Sequence, residues 1–376
     1  MNHNLLVGQS GGPTAVINGS LYGVVSEGLA NPEIDNVIGM VNGIEGFLAD
    51  HTIDMAPLKE NGELERIRTT PGSYLGSCRY KLPEDLSDPV YPELFQKFTE
   101  KEISYFFYIG GNDSMDTVSK LSRYAAQTGS DIRIIGEPKT IDNDINFIPQ
   151  SFGFETAAFK ATEAIECAHT EACGVPNGIG LVKLMGRESG FIAARAALAL
   201  KEVNFVLIPE APFALEGEGG LLPALEERLR SRGHAVIVAA EGAGQHLMEN
   251  HAAKDVSGNP VLGDVADLLR KNISSYLGAR GIEHSLKYID PSYIIRSIPA
   301  NANDKVYCGF LGQYAVHAAM AGRTDMVVGK IQDRYVHLPL ELVTRKRRKL
   351  NIYSDLWRAV LESTGQGMLH GMLPPA

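Results

Sequence analysis

Residues 103–127 constrain the fold more than any other stretch of the 376-residue chain, and they read ISYFFYIGGNDSMDTVSKLSRYAAQ. The stretch opens on an apolar run, which predicts a buried strand ending at Gly110 and Gly111. A helical pattern follows, with apolar side chains on one face at Met115, Val118, Leu121 and Ala125. A strand that enters a helix through a glycine turn presents backbone N–H groups and a helix N-terminus, which attract phosphate. The stretch therefore predicts a phosphate-binding turn.

A second strand–glycine–helix unit lies near the start of the sequence. Apolar residues 5–7 lead into a glycine turn, and a helix is predicted over about 14–28. The turn carries Gly8, Gly11 and Gly12, which is not the G-x-G-x-x-G spacing of dinucleotide-binding proteins. The acidic residue that accompanies that spacing is absent too, so a nicotinamide-dependent dehydrogenase is excluded.

Strands and helices alternate along the rest of the chain. Further strands are predicted at 37–41, 132–136, 178–184, 204–208, 235–240 and 326–330, and helices at 155–170, 189–200, 221–231 and 308–321. This alternation is typical of α/β proteins, and the length suits two domains. We expect two Rossmann-like domains with doubly wound, mostly parallel sheets. Several strands end in polar or glycine turns, where open α/β sheets bind ligands.

Composition excludes other classes of protein. The net charge of −10 disfavours nonspecific nucleic-acid binding. There is no signal-peptide pattern and no apolar run of roughly 20 residues, so we expect a cytoplasmic protein without membrane or nucleic-acid partners. The basic run at 345–349 is interpreted as a solvated face. The cysteines lie scattered, without a C-x-x-C pair or a histidine at ligand spacing, and are expected to be free thiols.

Eight motifs, taken together and in order, resemble those of the A-type 6-phosphofructokinase family over nearly the whole chain. They are GGPTAVIN at 11–18, GSYLGSCR at 72–79, GGNDS at 110–114, PKTIDND at 138–144, MGRESGF at 185–191, PE at 209–210, AEGAG at 240–244 and YIIR at 293–296. The sequences of residues 182–191 and 287–296 look most like those of the branch that holds plant and trypanosome phosphofructokinases and many pyrophosphate-dependent relatives.

The resemblance implies the phosphofructokinase fold and phosphoryl transfer to O1 of fructose 6-phosphate, a step of glycolysis and gluconeogenesis. Residues 1–152 plus about 297–335 would form the donor-binding domain, and residues 153–296 plus about 336–376 the sugar-phosphate-binding domain. Family members are homodimers or homotetramers, so the same is expected here.

Residue roles follow from the same resemblance. Asp142 would be the general base, with a turn cap as its alternative. The residues expected to bind sugar phosphate are Thr140, Ile141, Asp142, Met185, Gly186, Arg187, Glu241, Tyr293 and Arg296. The residues expected to bind the phosphoryl donor are Gly11, Gly12, Arg79 and Gly111. The structural alternatives are a salt bridge for Arg187, a turn cap for Glu241, half-buried packing for Tyr293 and an ordinary surface position for Arg79.

Two positions bear on the phosphoryl donor. Asp113 stands where ATP-using members have a glycine that leaves room for the α-phosphate, and a carboxylate there would repel that phosphate. Lys139 would stabilise transition-state charge. With Asp142 and Arg187 they form the expected catalytic set. The combination of Asp113 with Lys139 implies diphosphate as the donor, with an ATP-dependent enzyme as the alternative. A helix N-cap is the structural alternative for Asp113.

The metal site departs from the family pattern. Asn112 stands where the family has an aspartate that contacts Mg²⁺, so Asn112 and Asp144 are the expected ligands of Mg²⁺. A neutral amide oxygen holds the ion less tightly than a carboxylate. The same departure raises a remote alternative, an inactive sugar-phosphate-binding subunit, against which Lys139, Asp142 and Arg187 argue.

Overall fold

The computed structural model describes residues 3–248 and 261–369, and these divide into two units. The first comprises the described residues of Met1–Thr156 and Arg296–Arg348, and the second those of Ala157–Ile295 and Lys349–Ala376. The last junction lies thirteen residues beyond the position near 335 expected from the sequence, because a strand and a short helix that follow that position belong to the first unit. No helix among these residues is long and apolar enough to cross a membrane.

Eleven strands lie in the described residues. They are β1 (Asn4–Gln9), β2 (Val37–Met40), β3 (Thr52–Asp54), β4 (Ile103–Gly110), β5 (Arg133–Pro138), β6 (Gly178–Leu184), β7 (Phe205–Leu207), β8 (His234–Ala240), β9 (Ser285–Ile289), β10 (Met326–Ile331) and β11 (Arg334–Pro339).

The α-helices of the same residues connect and cover these strands. They are α1 (Ile17–Gly28), α2 (Gly43–Leu48), α3 (Ala56–Glu60), α4 (Glu63–Thr69), α5 (Val90–Glu100), α6 (Asn112–Thr128), α7 (Phe154–Cys173), α8 (Phe191–Ala199), α9 (Leu221–Arg232), α10 (Val265–Ala279), α11 (Ser292–Arg296), α12 (Ala302–Met320), α13 (Leu340–Thr344) and α14 (Asp355–Thr364).

The first unit is built on a seven-stranded sheet with the order β11-β10-β5-β4-β1-β2-β3. All neighbours are parallel except the edge pairs β2–β3 and β10–β11. From β1 the chain builds outward through β2 and then returns to add β4 on the other side of β1. This reversal is the topological switch point of a doubly wound sheet, where ligands bind at the carboxyl ends of the strands. The α/β fold expected from the sequence is confirmed.

Both faces of this sheet are apolar. Alternate side chains of a strand point to opposite faces, so Leu5 and Val7 pack into one core cluster and Leu6 into another. Helices α1 and α12 cover the first face and approach closely at two glycines. A Cβ added at Gly23 would lie 2.3 Å from the Gly309 carbonyl oxygen, and one at Gly312 would lie 2.4 Å from that of Ser20.

The second unit contains a four-stranded parallel sheet with the order β7-β8-β6-β9. Its central strands β6 and β8 are nearly continuous apolar runs, as expected for parallel strands buried on both faces. Glu210 joins two segments of this unit. Its carboxylate accepts the N–H of Gly190 at 3.1 and 3.0 Å and that of Leu350 at 2.7 Å. The Pro209-Glu210 motif is therefore structural here.

Candidate functional site

Three strand ends of the first unit meet at the switch point. The Gly11-Gly12 turn follows β1, Gly111 follows β4 and Lys139 follows β5, in three adjacent parallel strands. The Lys139 N–H donates to the Gly110 carbonyl at 2.7 Å, and its ammonium donates to the Gly12 carbonyl at 2.7 Å. The lysine therefore ties the two glycine turns together and carries its charge between them.

The surroundings of Lys139 depress its basicity. The side chain is buried, and burial, followed by the guanidinium groups of Arg296 and Arg79, lowers the pKa of its ammonium to about 8, although Asp142 opposes this. Several cations close to a buried lysine form an arrangement that an anion would stabilise. The charges of this group therefore suit a phosphate ligand.

Two of the glycines are required by this packing. Gly11 has φ +79°, in the left-handed region, and an added Cβ would lie 3.3 Å from the Lys139 ammonium. A Cβ at Gly111 would lie 3.2 Å from the Lys139 carbonyl oxygen. A side chain at either position would displace the lysine or its backbone. The glycines thus permit the close approach that a phosphate cradle needs.

Asp113 lies in the first turn of α6 but does not cap the helix. Gly111 is the N-cap residue, and no side chain makes a capping hydrogen bond there, so the N-cap alternative for Asp113 is wrong. The carboxylate is about half exposed, and its nearest cation is the Lys81 ammonium at 3.4 Å. Lys81 had no role in the sequence-based account. Its place two residues after Arg79 is the signal that could have drawn attention to it.

The two expected metal ligands are neighbours in the first unit. The Asn112 amide nitrogen donates to Asp144 Oδ2 at 2.9 Å, which leaves the amide oxygen available as a ligand. Asp144 Oδ1 is buried and accepts no hydrogen bond within the described residues. An orphaned carboxylate oxygen beside an amide oxygen fits a hard cation. Burial raises the pKa of Asp144, and the Arg347 guanidinium, 3.6 Å from Oδ2, opposes this.

The turn that carries the expected base is held by hydrogen bonds. The Asp142 N–H donates to the Thr140 hydroxyl at 3.1 Å, and both residues are half-buried, as is Ile141. Asp142 is near enough to Lys139 to favour its charged form. Arg79 is exposed, and Arg296 is half-buried.

The interpretation of the basic run at 345–349 as a solvated face holds for Arg345, Lys346 and Lys349, which are exposed, but is wrong for Arg347 and Arg348. The Arg348 guanidinium donates to the carbonyls of Asn143, Ile148 and Pro149 at 3.3, 3.3 and 2.9 Å, and its N–H donates to the Asp144 carbonyl at 2.7 Å. Arg347 lies beside the Asp144 carboxylate. Both arginines thus support the PKTIDND turn and the residues after it, since Arg348 satisfies backbone carbonyls there and Arg347 neutralises a buried carboxylate.

In the second unit, two further turns are fixed by adjacent strands. β6 ends at Leu184 and leads into Met185-Gly186-Arg187, and β8 leads into Glu241. The Glu241 N–H donates to the Leu184 carbonyl at 2.8 Å, and the Gly242 N–H to that of Gly186 at 3.1 Å. The Glu241 backbone therefore continues the sheet while its half-buried side chain remains at the strand end.

Arg187 and Glu241 line one cavity of about 310 Å³ in this unit, together with Lys183 and Asp264. That volume lies at the lower end of the range for small-ligand sites, which starts at about 300 Å³. The Lys183 ammonium lies 3.6 Å from Asp264 and 3.1 Å from Asp290. Although burial opposes it, hydrogen bonds to Tyr288 and Asp290 raise the pKa of Lys183. The Lys183 ammonium is therefore held in its charged form between two carboxylates.

Tyr293 is outside this group. It lies on α11, is 82% exposed and does not line the cavity, so the alternative of half-buried packing is wrong. Met185 and Gly186 are buried, and Gly186 has φ +134°. The structure thus brings Arg187 and Glu241 together in one cavity and leaves the Tyr293 side chain open to solvent. Asp264, which also caps α10, is a cavity residue that the sequence-based account missed.

The first unit has glycine turns at a switch point with a buried lysine between them, and the second has a cavity at strand ends that is lined by Lys183 and Arg187. Such features are typical of α/β enzymes that handle phosphate groups. Comparison with known proteins identifies the family within this class of enzymes. The family model described as Phosphofructokinase matches residues 4–319, and the chain belongs to that family. Its activity is accordingly that of a phosphotransferase acting on fructose 6-phosphate, in glycolysis.

Individual relatives agree on the family but differ in donor. The chain is 44% identical to an ATP-dependent 6-phosphofructokinase of Amycolatopsis methanolica over 363 residues, covering 95% of this chain and 77% of the relative. It is 40% identical to ATP-dependent 6-phosphofructokinase 1 of Arabidopsis thaliana, covering 89% and 69%. A crystal structure of a pyrophosphate-dependent phosphofructokinase from Marinobacter aquaeolei is similar at a TM-score of 0.78 and 29% identity, covering 100% of this chain and 93% of that one.

Proposed function

We propose that this phosphofructokinase uses diphosphate as its phosphoryl donor. It transfers one phosphoryl group to O1 of fructose 6-phosphate and releases fructose 1,6-bisphosphate and phosphate. Diphosphate and fructose 1,6-bisphosphate are close in phosphoryl-transfer potential, so the reaction runs in both directions. The observation that carries this proposal is the half-exposed carboxylate of Asp113, which lies in the first turn of α6 without capping the helix.

The effect of Asp113 is a difference between two donors. ATP continues beyond its transferred end into an α-phosphate and a nucleoside, whereas diphosphate ends at its second phosphoryl group. A carboxylate about 4 Å from an α-phosphate would cost about 1 to 4 kcal/mol, according to how well water screens the pair. Lys81, 3.4 Å from Asp113, reduces this repulsion without removing the volume of the side chain. The residue thus disfavours ATP by both charge and size.

The first unit also carries the groups that the transfer step needs. The Asp142 carboxylate takes the proton of the O1 hydroxyl, and O1 attacks the terminal phosphorus. The bond from that phosphorus to the bridging oxygen breaks, and its electron pair leaves with phosphate. Lys139, Arg79 and the glycine turns at Gly11, Gly12 and Gly111 hold the donor and offset the charge on its oxygens.

We propose that Asn112 and Asp144 hold Mg²⁺ through their available oxygens. Bound there, the ion would supply positive charge to the diphosphate oxygens. The residues around Asp144 also make contacts that do not depend on the ion. Asn112 fixes the orientation of the Asp144 carboxylate, and Arg347 keeps that carboxylate from standing alone as a buried charge.

The second unit is proposed to bind the sugar phosphate. Arg187 offers a fork of donors to a phosphate or phosphoryl group, and Glu241 accepts hydrogen bonds from sugar hydroxyls. Met185 and Gly186 of this unit are proposed to contact the substrate through the turn they form, and Thr140 and Ile141 of the first unit are proposed as further substrate contacts. Tyr293, exposed on α11, and Arg296 at the end of that helix are proposed to bind the 6-phosphate.

An ATP-dependent enzyme is the second candidate, favoured by the names of relatives at 44% and 40% identity. An inactive sugar-phosphate-binding subunit is a remote third, since Lys139, Asp142 and Arg187 are all present. A homodimeric or homotetrameric assembly is proposed from the family resemblance, and the cytoplasmic location stays a prediction.

The donor is tested by assaying the purified protein with each donor. Formation of fructose 1,6-bisphosphate is followed with diphosphate or with ATP, and inorganic pyrophosphatase is added to the ATP assay to remove contaminating diphosphate. We expect kcat/KM for diphosphate to exceed that for ATP, and phosphate with fructose 1,6-bisphosphate to support the reverse reaction. A higher kcat/KM with ATP would overturn the proposal, and no turnover with either donor would favour the inactive subunit.

A further inference from the structure

Helix α7 and strand β8 of the second unit bring together three metal-ligating side chains. His169 and Cys173 lie one helical turn apart on α7, and His234 is the first residue of β8. Their potential ligand atoms all lie within 4.8 Å of one another. The closest approach is 3.3 Å, between Cys173 Sγ and His169 Nε2. The two imidazole rings are 5.3 Å apart at an angle of 65°.

These separations match the requirements of zinc. With Zn–S near 2.3 Å and Zn–N near 2.0 to 2.1 Å, tetrahedral geometry puts a thiolate and an imidazole nitrogen about 3.5 Å apart. The Cys173–His169 pair is already at about that spacing. All three side chains are exposed or half-buried, so His234 can close the remaining gap by a small rotation. Two histidines and a cysteine are a ligand set that suits Zn²⁺.

The surroundings prepare His234 for such a role. Its Nδ1 lies 3.2 Å from the Arg232 carbonyl oxygen, which can only accept a hydrogen bond. Nδ1 therefore carries the proton, and the lone pair is on Nε2, as in histidine ligands oriented by a backbone carbonyl. Arg228 donates to the His234 carbonyl at 3.2 Å and so holds the start of β8, although its positive charge opposes a bound cation.

We propose that His169, Cys173 and His234 form a Zn²⁺ site with a fourth, solvent-filled position. The site is separate from the substrate cavity. β8 runs seven residues from His234 to Ala240, and Glu241 follows at its other end, roughly 20 Å away. The sequence-based expectation that no histidine lies at ligand spacing from a cysteine is wrong, because His169 precedes Cys173 by four residues on one helix face.

The test is a Co²⁺ titration of the full-length protein, first stripped with a chelator and kept reduced with a phosphine. Co²⁺ reports a thiolate ligand by a charge-transfer band and tetrahedral geometry by intense visible bands. We expect both bands, saturation at one ion per chain, and displacement by Zn²⁺. Cys173→Ser should abolish the charge-transfer band, and His169→Gln and His234→Gln should each weaken binding at least tenfold.

Cys167→Ser is the matched control, since Cys167 is an exposed cysteine on the same helix. It should leave both bands and the affinity unchanged. Circular dichroism of each variant shows that the fold is retained, and phosphotransferase activity should stay within twofold of the parent. The proposal is overturned if the parent gives no charge-transfer band, or if Cys173→Ser binds Co²⁺ with the parent's spectrum and affinity.

Discussion

At the scale of single residues, Lys139 explains how an acidic protein handles an anionic substrate. The net charge is −10, yet this buried ammonium lies near the guanidinium groups of Arg79 and Arg296, and Asp142 and Asp144 offset part of their charge. Buried charges interact more strongly than exposed ones, because water screens them less. The local arrangement therefore decides ligand binding, and the overall charge does not.

The depressed pKa of Lys139 predicts a pH dependence of diphosphate binding. The free protein loses the ammonium proton at about pH 8, whereas a bound anion raises the pKa of the ammonium in the complex. Affinity should therefore be constant below pH 8 and fall by up to tenfold per pH unit above it. Titration calorimetry with diphosphate across pH 7 to 10 measures this directly.

Lys139→Arg is the matched control for that experiment. A guanidinium stays protonated over the whole range, and the ionisation of diphosphate itself is common to both proteins. The ratio of the parent's affinity for diphosphate to that of Lys139→Arg should therefore be constant below pH 8 and fall above it. A constant ratio would show that Lys139 does not titrate in this range or does not contact the donor.

Asp142→Asn tests the assignment of the base. The amide keeps the shape of the turn but cannot accept the O1 proton, so kcat should fall about 10²- to 10⁴-fold. Binding of fructose 6-phosphate and diphosphate, measured by calorimetry, should change little. If kcat stays within about threefold of the parent, Asp142 is only a turn residue.

The proposed site residues that lie in recognisable motifs were predicted from the sequence. Residues that contact the same turns from other parts of the chain were missed. Asp113, Lys139 and Asp142 lie in recognisable turns. Lys81 and Arg347 meet the same turns through the tertiary fold, and no local pattern indicates which carboxylate they approach. A short basic run looks the same in sequence whether it is solvated or satisfies buried carbonyls, as Arg348 does.

At the scale of elements, the long strand–turn–helix units were predictable, whereas among the edge strands only the buried β7 was. β4 and α6 show clear apolar periods that match the prediction within a few residues. The strands β3 and β11 lie at sheet edges, are partly exposed and lack a continuous apolar run, so neither was predicted. The start of α12 was also missed, because its first turn is polar and is capped by Asn301 rather than marked by apolar residues.

The contact between α1 and α12 predicts a sharp difference between two glycines of one helix. Gly312→Ala puts a Cβ 2.4 Å from the Ser20 carbonyl, so the helices must separate, at a cost of about 1 to 3 kcal/mol. Gly309→Ala meets nothing within 4 Å and should be neutral or stabilise slightly.

Urea unfolding of the two variants, followed by circular dichroism, measures that difference. The midpoint should fall for Gly312→Ala and stay equal or rise for Gly309→Ala. Equal midpoints would mean that the helices adjust freely at Gly312 and that the close approach is not a constraint on this fold.

At the scale of the whole molecule, each unit repeats one construction. Adjacent parallel strands end together, and the turns that follow carry the proposed site residues: Gly12, Gly111 and Lys139 in the first unit, and Arg187 and Glu241 in the second. The fold and the family follow from sequence because this repeated pattern spans most of the chain. The donor does not follow from the fold, since similar folds are found in relatives named for ATP and for pyrophosphate.

The central claim, that Asp113 selects diphosphate, is tested most directly by the ratio of kcat/KM for diphosphate to kcat/KM for ATP in the parent and in Asp113→Gly. Asp116→Asn is the control, because Asp116 lies on the same helix but pairs with Lys120 at 2.6 Å. Removing the Asp113 carboxylate should lower the ratio by about 10- to 100-fold, in line with a repulsion of about 1.4 to 2.8 kcal/mol, and Asp116→Asn should leave it unchanged. An unchanged ratio in Asp113→Gly, or a parent that prefers ATP, would contradict the account.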